Sequence, residues 1–109
     1  MGLINLQDSE KRAIAEIDAH ALDALVDQAI DREQCGDLGR LPLYACGPYV
    51  AAKLRSFEEA LTEYRSAKAA KKRAETLDRA RKAGRDLSFA FGQMKQRLAT
   101  EERESQLFQ

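Results

Sequence analysis

The chain has 109 residues, and its 18 Lys and Arg residues balance its 18 Asp and Glu residues. This length suits one domain at most, and no apolar run approaches the roughly 20 residues that a membrane-spanning helix needs. Aromatic residues make up 6% of the chain and charged residues 33%. With abundant Ala, Glu, Lys, Arg and Leu, this is the composition of long helices. We therefore predict an all-α, cytoplasmic protein that does not associate with membranes.

The first predicted helix is short and amphipathic and runs from about residue 9 to 34. Asp8 or Ser9 would cap its start, and Gly36 would end it. Its apolar residues recur at helical spacing and form one stripe: Ile14, Ile17, Ala21, Leu22, Leu25, Val26 and Ala29. The opposite face is acidic and carries Glu16, His20, Asp23, Asp27 and Asp31.

The acidic face does not have the pattern of a metal site. Three residues separate Glu16 from His20, whereas the Glu-x-x-His motif of di-iron bundles has two, and the chain has one His. Cys35 and Cys46 do not form a Cys-x-x-Cys pair, so we expect free thiols and no zinc. Without a phosphate-binding loop, a dinucleotide fingerprint or a nucleophile elbow, we predict no catalytic residues, no cofactor and no enzyme.

Residues 35–48 form the predicted connection, with three glycines and two prolines. It is unusually apolar, so it either folds over a helix end or presents an apolar patch to a partner. Phe89 lies off the apolar seam of the following helix, as part of a second core layer or as a docking point. The predicted partner-binding residues are Leu38, Leu41, Leu43, Tyr44, Tyr49 and Phe89.

A long, coiled-coil-like helix is predicted from about residue 49 to 103, followed by a frayed tail at 104–109. Its heptad seam comprises Val50, Leu54, Phe57, Leu61, Tyr64, Leu77, Leu87, Phe91, Met94 and Leu98. The seam changes phase between residues 66 and 73, which overwinding, a kink or a change of packing partner would absorb.

Gly84 is the second irregularity in this helix. It could end the helix, with Asp86 capping a third one, but the seven-residue repeat running through it favours a continuous or bent helix. Such a helix would be roughly 80 Å long. The first helix would cover only part of its seam, so we predict a homodimer.

Charge is distributed unevenly, since residues 1–40 carry a formal charge of −5 and residues 41–109 carry +5. Residues 65–85 are the most basic segment. This segment fits a solvated helix, pairing with the acidic face of the first helix, or contact with nucleic-acid phosphates. The alternative nucleic-acid contacts are Arg65, Lys68, Lys71, Lys72 and Arg79.

The sequence Ala45-Cys46-Gly47-Pro48, between a shorter helix and a long amphipathic one, resembles the small helical anti-activators of bacterial quorum sensing. The resemblance covers roughly residues 10–80, and this chain departs from it in its length and basic middle. It implies a helical dimer that sequesters a transcription factor. We therefore predict a small non-enzymatic regulator that binds a protein partner, with nucleic-acid binding as the alternative.

Overall fold

The computed structural model describes residues 6–107, without the side chains of residues 105 and 106. Within this range all regular secondary structure is helical, which confirms the all-α prediction. Two 3-10 turns connect the second and third of four α-helices. The elements in chain order are α1 Asp8–Glu16, α2 Ala19–Arg32, the 3-10 turns Gly36–Arg40 and Leu43–Cys46, α3 Pro48–Ser66 and α4 Ala70–Leu107.

The first helical region differs from the prediction of one helix over 9–34, because it is two helices that meet at Ile17 and Asp18. Ile17 is extended and ends α1. The Asp18 carboxylate accepts a hydrogen bond from the Ala21 amide at 2.9 Å and so caps α2. The start of α1 is capped by Gln7 together with Glu10 rather than by Asp8 or Ser9. The break allows both α1 and α2 to turn apolar residues toward the core.

The connection folds down over the core. Leu38 and Leu43 are 1% and 0% exposed and lie in its two 3-10 turns. The second turn packs against α1 and α3. Gly47, with a φ of +110°, leads into α3, and Pro48 is the first residue of that helix. Pro fits this position because its missing N–H would have had no partner there.

The prediction of one long helix over 49–103 is wrong, because the chain reverses at Ala67–Ala69. The helices on either side pack against each other as an antiparallel hairpin. This turn coincides with the phase change between residues 66 and 73, which therefore reflects a change of packing partner. Residues 104–107 continue α4 rather than fraying, and residues 108 and 109 lie outside the described range.

Gly84 neither ends nor breaks α4. A Cβ atom at this position would lie 2.7 Å from Val26 Cγ1 and 3.3 Å from Phe57 Cε1. Both distances are shorter than ordinary van der Waals contact. Glycine is therefore what allows α4 to approach α2 and α3 this closely.

The predicted dimer seam is the core of a single chain. Its members are buried, except for the partly buried Tyr64 and Leu77: Val50, Leu54, Phe57, Leu61, Leu87, Phe91, Met94 and Leu98. The reasoning that a second chain must cover this seam is therefore wrong, although the homodimer itself stays a prediction. The molecule measures 60 × 28 × 18 Å, with α4 as its longest element. In the described range, no helix has the length and apolar character that crossing a membrane requires.

Candidate interaction surfaces

The leucines of the connection do not form a partner surface in this fold. Leu38 and Leu43 belong to the core, and Leu41 packs partly buried against it. Tyr44 remains half exposed and donates a hydrogen bond to the Glu58 carboxylate. This hydrogen bond raises the pKa of the Tyr44 hydroxyl. The connection is thus fastened to α3 and offers one exposed aromatic ring.

Tyr49 and Phe89, the other two predicted partner-binding residues, are both exposed. Phe89 is 66% exposed and Tyr49 36%. The Tyr49 hydroxyl donates to Gln93 Oε1 at 2.8 Å and thereby links α3 to α4. The Lys53 ammonium lies 5.9 Å from the centre of the Tyr49 ring.

These residues form one outward face of the hairpin. Residues four apart on a helix are neighbours, so Phe89 lies one turn from Gln93, and Lys53 one turn from Tyr49. Because α3 and α4 are antiparallel, both steps lead along the hairpin in the same direction. We call Tyr49, Lys53, Phe89 and Gln93 the aromatic patch.

The second surface is the closed end of the hairpin. Residues 65–73 contain five cations and no acid. Four of these cations are exposed and lie in the turn or in the adjoining ends of α3 and α4. Together with the turn at Ala67–Ala69 we call them the hairpin tip: Arg65, Lys68, Lys71 and Lys72. Among the described residues none of these four forms an ion pair.

The structure brings only some of the predicted nucleic-acid contacts together. Lys68, Lys72 and Arg79 border one shallow depression of about 630 Å³, together with Glu63. Arg79 forms an ion pair with Glu63 at 3.0 Å. Arg65 and Lys71 are exposed nearby but do not line this depression.

Arg73, the fifth cation, has a structural role that sequence reasoning did not identify. Its guanidinium pairs with Glu33 at 2.9 Å and donates to the carbonyl oxygens of Tyr64 at 3.3 Å and Ala67 at 3.1 Å. It also stacks 4.5 Å from the centre of the Tyr64 ring. The hydrogen bond to Glu33 raises the pKa of Arg73. Arg73 thus ties the ends of α2 and α3 to the start of α4.

The part of the predicted acidic face that lies on α2, without Glu16 of α1 and without His20, is opposite basic residues of α4. Asp23, Asp27 and Asp31 form one wall of an open groove of about 610 Å³, and Arg81 and Arg85 contribute to the other. In the described part of the chain no ion pair closes this groove. The arrangement resembles the predicted pairing of the two oppositely charged halves, without direct bridges between them.

The cysteines are both free in the described chain. Burial raises the pKa of Cys46 to about 11, and burial also raises the pKa of Cys35. A thiol with a raised pKa is a weak nucleophile and a weak metal ligand. Among the described residues, no cluster of three or more His, Cys, Asp and Glu side chains could hold a metal ion.

Comparison with known proteins adds no family to these observations. No family model matches the chain, and neither the curated proteins nor the solved structures contain a match. The resemblance to quorum-sensing anti-activators therefore rests on the residues quoted for it alone.

Proposed function

We propose that this protein is a small non-enzymatic regulator that binds a protein partner through the aromatic patch. The observation that carries the proposal is Phe89. The other large apolar residues of α4 between residues 77 and 98 are buried or partly buried, whereas two-thirds of the Phe89 side chain is in water.

When a partner covers an exposed Phe in the middle of a packed helix, removal of its ring from water stabilises the complex. Complete burial of such a side chain is worth about 1.5–3 kcal/mol. The patch also lies on a rigid support, because α3 and α4 pack against each other through the core and Tyr49 is hydrogen-bonded to Gln93 across them. A preformed patch loses little conformational entropy on binding. Aromatic residues on a rigid support are typical of interface hot spots.

The class of partner follows from the resemblance of the connection and its flanking helices. We infer that the partner is a transcription factor, which this protein would sequester. A homodimer, if formed, would use the aromatic patch or another exposed surface, because the heptad seam is occupied within the chain.

Site-specific photocrosslinking in the source cells tests this proposal. A photoreactive phenylalanine analogue at Phe89 is expected to form a discrete crosslinked product of one mass. The same analogue at Ala24, which is exposed on α2, should not. Identifying the product by mass spectrometry distinguishes a transcription factor, another protein and a second copy of this chain. Equal crosslinking at both positions would contradict the proposal.

A matched pair of variants separates binding from folding. Phe89→Ser is expected to abolish the crosslink of an analogue placed at Tyr49 and to change the free energy of unfolding by less than about 0.5 kcal/mol. Phe91→Ala, two residues away and 0% exposed, should lower the free energy of unfolding by about 3–5 kcal/mol.

A further inference from the structure

We propose that the hairpin tip is a second binding surface, one that takes the phosphate backbone of nucleic acid. This inference is independent of the aromatic patch. It starts from the charge of residues 65–73, which hold five cations and no acid. The fold uses one of these, Arg73, to close the hairpin and leaves the other four exposed.

The placement of the cations is unfavourable for the folded protein by itself. The first turn of α4 has no acidic residue and carries Lys71, Lys72 and Arg73. The N-terminal end of a helix is the positive end of its dipole, where acidic residues are stabilising and basic residues are not. A bound polyanion would reverse this cost, since it would be attracted by the side chains and by the helix end together.

The depression at the tip adds geometry to the charge. Lys68 and Lys72 border it from the turn and the start of α4, and Arg79 lies two turns further on. Arg79 pairs with Glu63, but both side chains are more than half exposed. An exposed ion pair of this kind contributes little to stability. Arg79 can therefore exchange Glu63 for a phosphate.

The cations continue as a row along α4. Lys72, Arg79 and Lys82 are exposed, and at 1.5 Å per residue they span about 15 Å of helix. One strand of a duplex carries a charge about every 3.4 Å along its axis. The row is thus long enough to follow several consecutive phosphates.

The composition of the tip favours phosphates over bases and over lipid. Between residues 65 and 82 the chain has no Asn, Gln or aromatic residue, so the side chains that pair with adenine and those that stack on bases are missing from this segment. We therefore expect binding without sequence preference. The exposed apolar residues at the turn are Ala69, Ala70 and Ala74, and such small side chains do not insert into a bilayer as Trp, Phe or Leu would.

Fluorescence anisotropy with a labelled DNA duplex and a labelled RNA strand, each of mixed sequence, tests the inference. If each of the four cations that define the hairpin tip contacts one phosphate, the slope of log K against log salt is about −3.6 for the duplex. The affinity should then fall by about two orders of magnitude between about 50 and 200 mM salt. In the Lys68→Ala, Lys72→Ala double variant the fall should be only about tenfold.

The matched control is Arg12→Ala with Arg103→Ala, which makes the same change in net charge at two exposed positions away from the tip. It should bind as the unmodified protein does. Phe89→Ser should also bind nucleic acid normally, so that a failure of either proposal is recognised separately.

Three results would overturn the inference. These are no binding to either nucleic acid at low salt, equal losses in the tip and control variants, and tighter binding to vesicles of phosphatidylcholine with about one-third phosphatidylserine. The last would assign the tip to anionic membranes if the same double variant abolished it. Circular dichroism of each variant checks that the helices are intact. We expect no loss of helix, because Ala is a better helix former than Lys.

Discussion

The guanidinium of Arg73 lies 2.9 Å from the carboxylate of Glu33, 40 positions earlier in the chain, and both side chains are about one-third exposed. Glu33 is the residue that ends α2, with a left-handed backbone at φ 57°. A non-glycine residue adopts this conformation at a cost. The ion pair joins this end of α2 to the start of α4, next to the turn of the hairpin.

Removal of Arg73 should therefore destabilise the protein more than removal of its partner. Arg73→Ala eliminates the ion pair, the stacking on Tyr64 and the hydrogen bonds to two carbonyl oxygens, whereas Glu33→Ala eliminates the ion pair alone. Thermal unfolding followed by circular dichroism should give a lower midpoint for Arg73→Ala than for Glu33→Ala. Lys71→Ala is the control, and an equal midpoint for it and Arg73→Ala would rule out the clamp.

Two glycines of α4 should respond in opposite directions to the same substitution. Gly84→Ala places a methyl group 2.7 Å from Val26 Cγ1, and such overpacking costs about 1–3 kcal/mol. Gly92→Ala meets no atom within 4 Å and should stabilise the helix by about 0.5–1 kcal/mol. Urea denaturation measures both. Stabilisation by Gly84→Ala would show that α4 does not approach α2 this closely.

The sequence allowed the helical class and the apolar residues of the seam to be predicted, and it placed the start of α3 within one residue of Pro48. The seam was, however, assigned to a dimer rather than to the core of one chain. It did not reveal the hairpin turn, because Ala67, Lys68 and Ala69 include neither Gly nor Pro and favour helix. The phase change of the seam was the available signal. Gly84 was considered as a break because glycine often ends helices, but here its small size serves a close contact between helices.

Leu43 should behave as a core residue although it lies in the connection. It is 0% exposed, so Leu43→Ala should lower the free energy of unfolding by about 2–5 kcal/mol. The neighbouring Ala45 is exposed, and Ala45→Ser should change it by less than about 0.5 kcal/mol. Equal effects of the two substitutions in chemical denaturation would mean that the connection is not packed onto the core.

Cys46 makes stability depend on alkaline pH. The pKa of its buried thiol is raised from 9.0 to about 11. Between these values the unfolded chain has lost the thiol proton and the folded chain retains it. The folded state therefore loses about 1.4 kcal/mol per pH unit across this window.

Comparison with Cys46→Ala isolates this contribution from other groups that titrate at high pH. The difference in unfolding free energy between the two proteins should be constant below pH 9 and should shift against the unmodified protein as the pH approaches 11. A difference that stays constant across the range would contradict the buried position of the thiol.

The exposed surfaces could be predicted from sequence only in part. Phe89 lies off the seven-residue repeat, which left both a second core layer and a docking point open, and the structure shows it exposed. Leu38 and Leu43 were not distinguishable from surface residues, because their burial depends on how the connection folds over α1 and α3. The role of Arg73 depends on Glu33 and Tyr64, which are brought to it only by the turn of the hairpin.

The measurement that tests this account most directly is the distance between spin labels at positions 56 and 86. Both positions are exposed, and they lie midway between the links from Tyr49 to Gln93 and from Glu63 to Arg79. Both native cysteines would be replaced by alanine, and labelled protein would be diluted with unlabelled protein to suppress distances between chains. Packed antiparallel helices predict a label separation of about 15–25 Å. A separation of about 45 Å, as in one continuous helix, would contradict the hairpin and return the heptad seam to a partner chain.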